Sequence, residues 1–141
     1  MLAGEIKMGS RPLPILAAIV LLLFEAATNL PIFWESLFPG VEEPPAFFIY
    51  TGYVAGVACL VAAVGLWLLR PWSFWVTLIV ALLNLLMALP GPVLAPPEIR
   101  GVIALTAVAA ILIAVLVALP ASRRALAPGD ARRGPDRAAG A

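Results

Sequence analysis

The chain has 141 residues, 63% of them hydrophobic and 12% charged, with a net charge of +1 and a mean hydropathy of +1.05. A soluble domain is typically about 45–50% apolar and about 25% charged, so a water-soluble globular protein is excluded. With no histidine and one cysteine, Cys59, an intrachain disulfide, a Cys/His zinc site, bis-histidine haem and a Ser-His-Asp triad are excluded as well.

A helix rises about 1.5 Å per residue, so about 20 residues cross a hydrocarbon core of about 30 Å. Four segments meet this length: residues 13–33, 46–69, 72–89 and 100–119. Each is bounded by proline, glycine or charge, which end helices. Helices are also the only open-chain way to satisfy backbone groups in lipid, and the alternating strands of a barrel are missing. The expected fold is therefore an all-α membrane protein, a four-transmembrane-helix bundle over residues 12–120. A cytoplasmic N-terminus, 1–11, precedes it. A basic tail, 121–141, rich in Ala, Arg, Pro and Gly and without apolar periodicity, is expected to be disordered. The first span also has the parts of a cleavable signal peptide: Lys7 and Arg11, an apolar stretch, then Ala26, Ala27 and Thr28. Apolar residues resume over 30–34 and favour a full-length span.

Lys7, Arg11, Arg70, Arg123, Arg124, Arg132, Arg133 and Arg137 fall on one side of these spans and only Arg100 on the other. The positive-inside rule then places both termini in the cytoplasm. Glu35, Glu42, Glu43 and Glu98 occupy the outer loops. Trp34, Phe38, Phe47, Phe48 and Tyr50 cluster at the outer boundary, and Trp67, Trp72, Phe74 and Trp75 at the inner one, as two aromatic belts. The tail arginines also suit anionic lipid head groups.

The two outer loops share a pattern. Pro39-Gly40 is followed by Pro44-Pro45, and Pro90-Gly91 by Pro96-Pro97, each leading into an apolar helix that ends at Arg70-Pro71 or Leu119-Pro120. This spacing describes two tandem helical hairpins in parallel orientation. Within the second span, Gly52, Gly56, Cys59 and Ala63 lie within about 60° at about 100° per residue, a narrow small-residue stripe with a GxxxG pair. Ala107, Ala110, Ala114 and Ala118 form a similar stripe of about 80° in the fourth span. Both stripes are expected to pack helices, within the bundle or between subunits. Cys59 is expected to act there as a small apolar residue.

Polar residues inside the spans each need a reason. Glu25, Thr28 and Asn29 share one face of the first span, and Ser73, Thr77 and Asn84 one face of the third. Glu25 and Asn84 each lie 12 residues from the inner edge, and Thr106 lies 13, so all three sit roughly 18–20 Å above it. Asn29 and Tyr53 lie 16 residues from theirs, about 24 Å up. The result is a candidate intramembrane polar site of Glu25, Asn29, Tyr53, Asn84 and Thr106 in the outer half. An ionised acid at the bilayer centre costs about 2.5–3.5 kcal/mol on insertion scales. Glu25 is therefore expected to face the bundle and to be neutral or hydrogen-bonded, with Asn84 as its partner and Asn29 one turn above.

Four spans with one acid, Glu25, in the first resemble the small multidrug resistance transporters, and the resemblance implies a small transporter in which that acid is central. The chain departs from them in three ways. Trp72 and Trp75 stand at the inner edge rather than near the acid, Ala26-Ala27-Thr28 replaces a Gly-Thr step after the acid, and the strong basic bias does not suit subunits paired in opposite orientations. Four-span thiol oxidoreductases are excluded by the lone Cys59.

The sequence leads to a small bacterial-type protein of the inner membrane, without cofactor, metal or nucleic-acid partner. The small-residue stripes and the lack of a catalytic constellation favour a non-enzymatic accessory or assembly partner, as a homo-oligomer or with another membrane protein. The alternative is a small transporter or channel subunit using Glu25 with Asn84.

Overall fold

The computed structural model describes residues 11–128. Every regular element among them is helical: α1 (Leu13–Asn29), a 3-10 turn (Pro31–Phe33), α2 (Trp34–Leu37), α3 (Ala46–Trp67), α4 (Trp72–Ala88), α5 (Gly91–Leu94), α6 (Pro97–Ala118) and α7 (Pro120–Leu126). Three runs are long and apolar enough to cross a membrane, Ala46–Trp67, Trp72–Leu94 and Pro97–Ala118. A fourth is counted if α1 and Pro31–Leu37, bent by 72°, are taken as one span.

That bend corrects the expectation of a straight helix over 13–33. Proline has no N–H and disfavours a helical residue before it. Leu30 accordingly leaves the helix with φ −76° and ψ 116°, and the chain turns aside at Pro31. Prolines also set the helix starts. Pro45 and Pro96 precede α3 and α6 in nearly the same extended geometry, φ −51° and −55° with ψ 147°, so α6 begins at Pro97 rather than near Arg100. At the end of α3, Leu69 adopts φ 51°, its N–H donates to the Leu66 carbonyl and that of Arg70 to Gly65. This is a Schellman cap with leucine where glycine is usual. Pro71 follows and prevents the helix from continuing.

The four long helices form a ring in the order α1, α3, α4, α6, each packed on its two neighbours, with α1/α4 and α3/α6 on the diagonals. The two hairpins match in size. α1 and α4 both have 17 residues and are offset by 59 at each end; α3 and α6 both have 22 and are offset by 51. Burial follows the same offsets: Ala18 and Thr77, Leu22 and Ala81, and Glu25 and Asn84 occupy equivalent positions and are all buried. The loops differ. Gly40 has φ 78° and the Val41 N–H donates to Phe38, a type II turn, whereas Gly91 opens the short helix α5.

One end of the ring carries Arg11, Arg70, Arg123 and Arg124, the other Glu35, Glu42, Glu43 and Glu98. The apolar core fills the basic half, built from Ile15, Leu22, Leu66, Val80, Ile113 and Val117 among others. Outside it, large apolar side chains stand exposed on every long helix, including Val20, Val54, Ile79 and Val115. At the basic end, the Arg11 guanidinium lies 4.0 Å over the Trp67 ring.

One packing expectation narrows and one changes. The α3 stripe is buried inside the ring: a Cβ on Gly52 would stand 2.5 Å from the Asn29 carbonyl oxygen, and one on Gly56 2.7 Å from the Leu30 side chain. In α6, Ala110 is buried, Ala107 and Ala114 are half-buried and Ala118 is exposed. The buried line is instead Ala109, Ala110, Ile113 and Val117. At 3.6 residues per turn, Ala114 and Ala118 lie about 100° and 140° round from Ile113, and Ile113 and Val117 take the interior positions in their place. The tail also differs over its first residues. α7 is helical, Ser122 Oγ donates to the Leu116 carbonyl at 2.7 Å, and Leu126 joins the core. Alanine and arginine are good helix formers, and two buried side chains suffice to dock a short helix. Lys7, Arg132, Arg133, Arg137 and the remainder of the expected tail lie outside the described residues.

The glycines provide a paired test. Gly52→Ala meets backbone and is expected to lower the unfolding midpoint in detergent, at a cost of about 1–3 kcal/mol. Gly101→Ala, where an added Cβ meets nothing within 4 Å, is expected to leave it unchanged or raise it.

Candidate functional site

The acidic half of the ring is not filled. It holds a cavity of about 740 Å³ lined by the C-terminal ends of α1 and α4, the N-terminal ends of α3 and α6, and the loops between them. Glu25, Asn29, Tyr53, Asn84 and Thr106 all line it, together with Thr28. The five span residues singled out by depth thus meet in one space. They reach it because cavity-lining positions follow the helical period: Thr106 shares the face of Ala110 and Ile113, and Asn84 that of Thr77 and Ala81.

Glu25 lies at the closed end, with no exposed surface. Its expected direct pairing with Asn84 is replaced by a bridge. Asn29 Nδ2 donates to the Glu25 backbone carbonyl at 2.9 Å, to Glu25 Oε2 at 3.4 Å and to Asn84 Oδ1 at 3.4 Å. An amide has two N–H hydrogens, so three acceptors share them, and the shortest bond goes to the backbone. Asn29, one turn above Glu25 on the same helix, reaches across the ring where Glu25 does not. Asn84 Nδ2 donates in turn to Cys59 Sγ at 3.4 Å. Cys59 is therefore a buried acceptor as well as a packing residue.

Glu25 Oε1 is buried and has no hydrogen-bond partner among the described residues. Buried polar atoms in folded proteins are nearly always paired, so this oxygen stands out. Among the described residues, no basic side chain lines the cavity. Arg100 is exposed, with its Nε donating to the Ala95 carbonyl at 3.0 Å. Thr28 Oγ1 donates to the carbonyls of Phe24 and Glu25, and Thr106 Oγ1 to that of Ile103 at 2.9 Å; both hydroxyls keep acceptor capacity. Thr77 Oγ1, two turns below Asn84 on α4, is the other buried side-chain atom without a partner among the described residues.

Further lining residues were not apparent in the spans. Trp34, Phe38, Phe48, Glu42 and Glu43 come from the first loop and its flanks. The bend at Pro31 and the turn at Pro39-Gly40 fold that loop back over the ring, and Trp34 Nε1 donates to the Val41 carbonyl at 3.4 Å to hold it. Pro31 was the signal for this: a span interrupted there has to leave its axis. Glu42 and Glu43 stand exposed at the rim, where their charges face the cavity as well as solvent.

Comparison with protein-family models, with curated proteins and with solved structures finds no match.

The Asn29 bridge has a measurable consequence. Asn29→Ala is expected to destabilise the protein by about 1–3 kcal/mol, since it leaves buried acceptors on both Glu25 and Asn84. In a double-mutant cycle, Asn29→Ala and Asn84→Ala are expected to couple by about 0.6–1.7 kcal/mol. Strict additivity in detergent unfolding would contradict the bridge.

Proposed function

We propose that the protein is a four-span integral membrane protein that binds a small molecule from the outer side of the membrane, as the outward-facing state of a small transporter. The observation that carries this reading is the cavity. It brings together every polar residue of the expected site, ends on an unpartnered carboxyl oxygen, and is closed toward the basic end by the apolar core. Its volume of about 740 Å³ lies within the usual 300–1,000 Å³ range of small-molecule sites.

Membrane placement belongs to the same proposal. It is supported by the exposed Val, Leu and Ile side chains on all four long helices and by the placing of every described charged residue except Glu25 at the two ends. The proposed orientation follows the basic bias, with both termini cytoplasmic and the acidic rim outside. The matched lengths of α1 with α4 and α3 with α6 support tandem parallel hairpins.

An accessory or assembly role is the weaker reading. It rested on the lack of a catalytic constellation and on small-residue stripes expected to pack helices within the bundle or between subunits. The α3 stripe is filled by α1 and Leu30, and the α6 stripe only partly enters the interior. The proposed role is binding and passage, without covalent chemistry on the ligand.

The test uses the full chain in lipid nanodiscs and a panel of small aromatic molecules: neutral, cationic and anionic. At least one is expected to bind in excess of empty nanodiscs, and Thr106→Trp, which projects an indole into the cavity, is expected to abolish that binding without lowering the unfolding midpoint. In liposomes, Glu25→Gln is expected to abolish ligand-driven proton movement. Binding that survives Thr106→Trp would remove the cavity as the site. Binding without flux would leave a ligand-binding membrane protein and remove transport.

A further inference from the structure

The cavity's chemistry narrows what it holds, granted the site reading above. Four observations bear on this. Glu25 Oε1 is buried and unpartnered at its closed end, while Oε2 is occupied by Asn29. Among the described residues, no lysine or arginine lines it. Glu42 and Glu43 stand exposed at its rim. Its apolar wall carries four aromatic side chains, Trp34, Phe38, Phe48 and Tyr53, among prolines and aliphatic residues.

We infer that the cavity takes a protonated amine, a mostly apolar molecule whose ammonium N–H donates to Glu25 Oε1. Each part of such a molecule meets a feature of the site. The apolar body suits the ring-lined wall, and a cation is attracted to the faces of aromatic rings. The rim carboxylates raise the local concentration of cations at the mouth. The floor asks for more than positive charge. When Glu25 is ionised, Oε1 is an acceptor with no donor, and a buried acceptor left unpaired is costly. A charge-assisted N–H bond supplies both the counter-charge and the donor. A quaternary ammonium supplies the charge alone and holds its methyl groups between nitrogen and oxygen. An alcohol supplies the donor alone. The site therefore separates three molecules of nearly equal shape.

The experiment measures equilibrium binding to the full chain in nanodiscs, corrected for empty nanodiscs. The probes share one skeleton: N,N-dimethylphenethylamine as its ammonium, trimethylphenethylammonium, and phenethyl alcohol. The tertiary ammonium is expected to bind about tenfold more tightly than either of the others, since it alone makes a charge-assisted hydrogen bond. Glu25→Gln is expected to bring tertiary and quaternary ions to the same affinity. The wild-type ratio carries the test if that variant folds poorly. The double variant Glu42→Gln with Glu43→Gln, altered only at exposed positions, is expected to weaken both cations together and preserve their ratio. Equal affinity of the tertiary and quaternary ions for the wild type would overturn the inference. So would an alcohol that binds as tightly as the ammonium, although the cavity would then still stand as a site. If none of the three binds while another member of the panel is displaced by Thr106→Trp, the amine is overturned and the cavity reading is kept. If no molecule of any kind binds, both fall.

Discussion

A carboxyl group with no exposed surface, held on one oxygen and bare on the other, is the constraint around which the acidic half of the protein is arranged. Asn29 has to sit one turn above Glu25 to hold it, and α1 ends at that residue. The Asn29 backbone carbonyl then lies against α3, which is why Gly52 has no room for a side chain. Two residues later Pro31 takes the chain off the helix axis. The space that a straight helix would have occupied becomes part of the cavity above the acid. Helix end, glycine contact, bend and cavity are consequences of one arrangement.

The ring has two unlike halves because its two hairpins are equivalent in register but not in chemistry. Glu25 and Asn84 stand at the same position of α1 and α4, 59 residues apart. Two facing carboxyls at this depth would disfavour each other's ionised form. An amide in the second copy instead offers an acceptor to Asn29 and a donor to Cys59. In lipid, where apolar burial does not drive helices together, close packing and such interhelical bonds carry the association. The α3 glycines and the Asn29–Asn84 contact supply one of each.

Much of the fold was legible in the sequence because apolar run length and proline position are local signals. The starts of α3 and α4, at Ala46 and Trp72, follow directly from Pro45 and Pro71. The polar layer was legible from depth alone: counting residues from the inner edge placed Glu25, Asn84 and Thr106 together, and all three line the cavity. What counting did not reveal depends on where the chain turns. Pro31 lies inside an apolar run, so composition carries the span across it while the backbone bends. That Asn29 rather than Glu25 meets Asn84 depends on reach across a diagonal of the ring, which an angular plot of one helix does not contain. Of the α6 alanines, Ala110 lies on the buried face while Ala107, Ala114 and Ala118 lie beside it, since small residues mark close approach only where a neighbouring helix is present. Leu126 docks through a tertiary contact that no periodicity in seven residues announces.

The central claim is that the bare oxygen of Glu25 receives a ligand. Infrared difference spectroscopy of the full chain in lipid, recorded with and without a bound molecule, reads that carboxyl directly. A change in the side-chain carboxyl band on binding, absent in Glu25→Gln, is the expected result. A spectrum in which binding leaves every carboxyl band unchanged would contradict it.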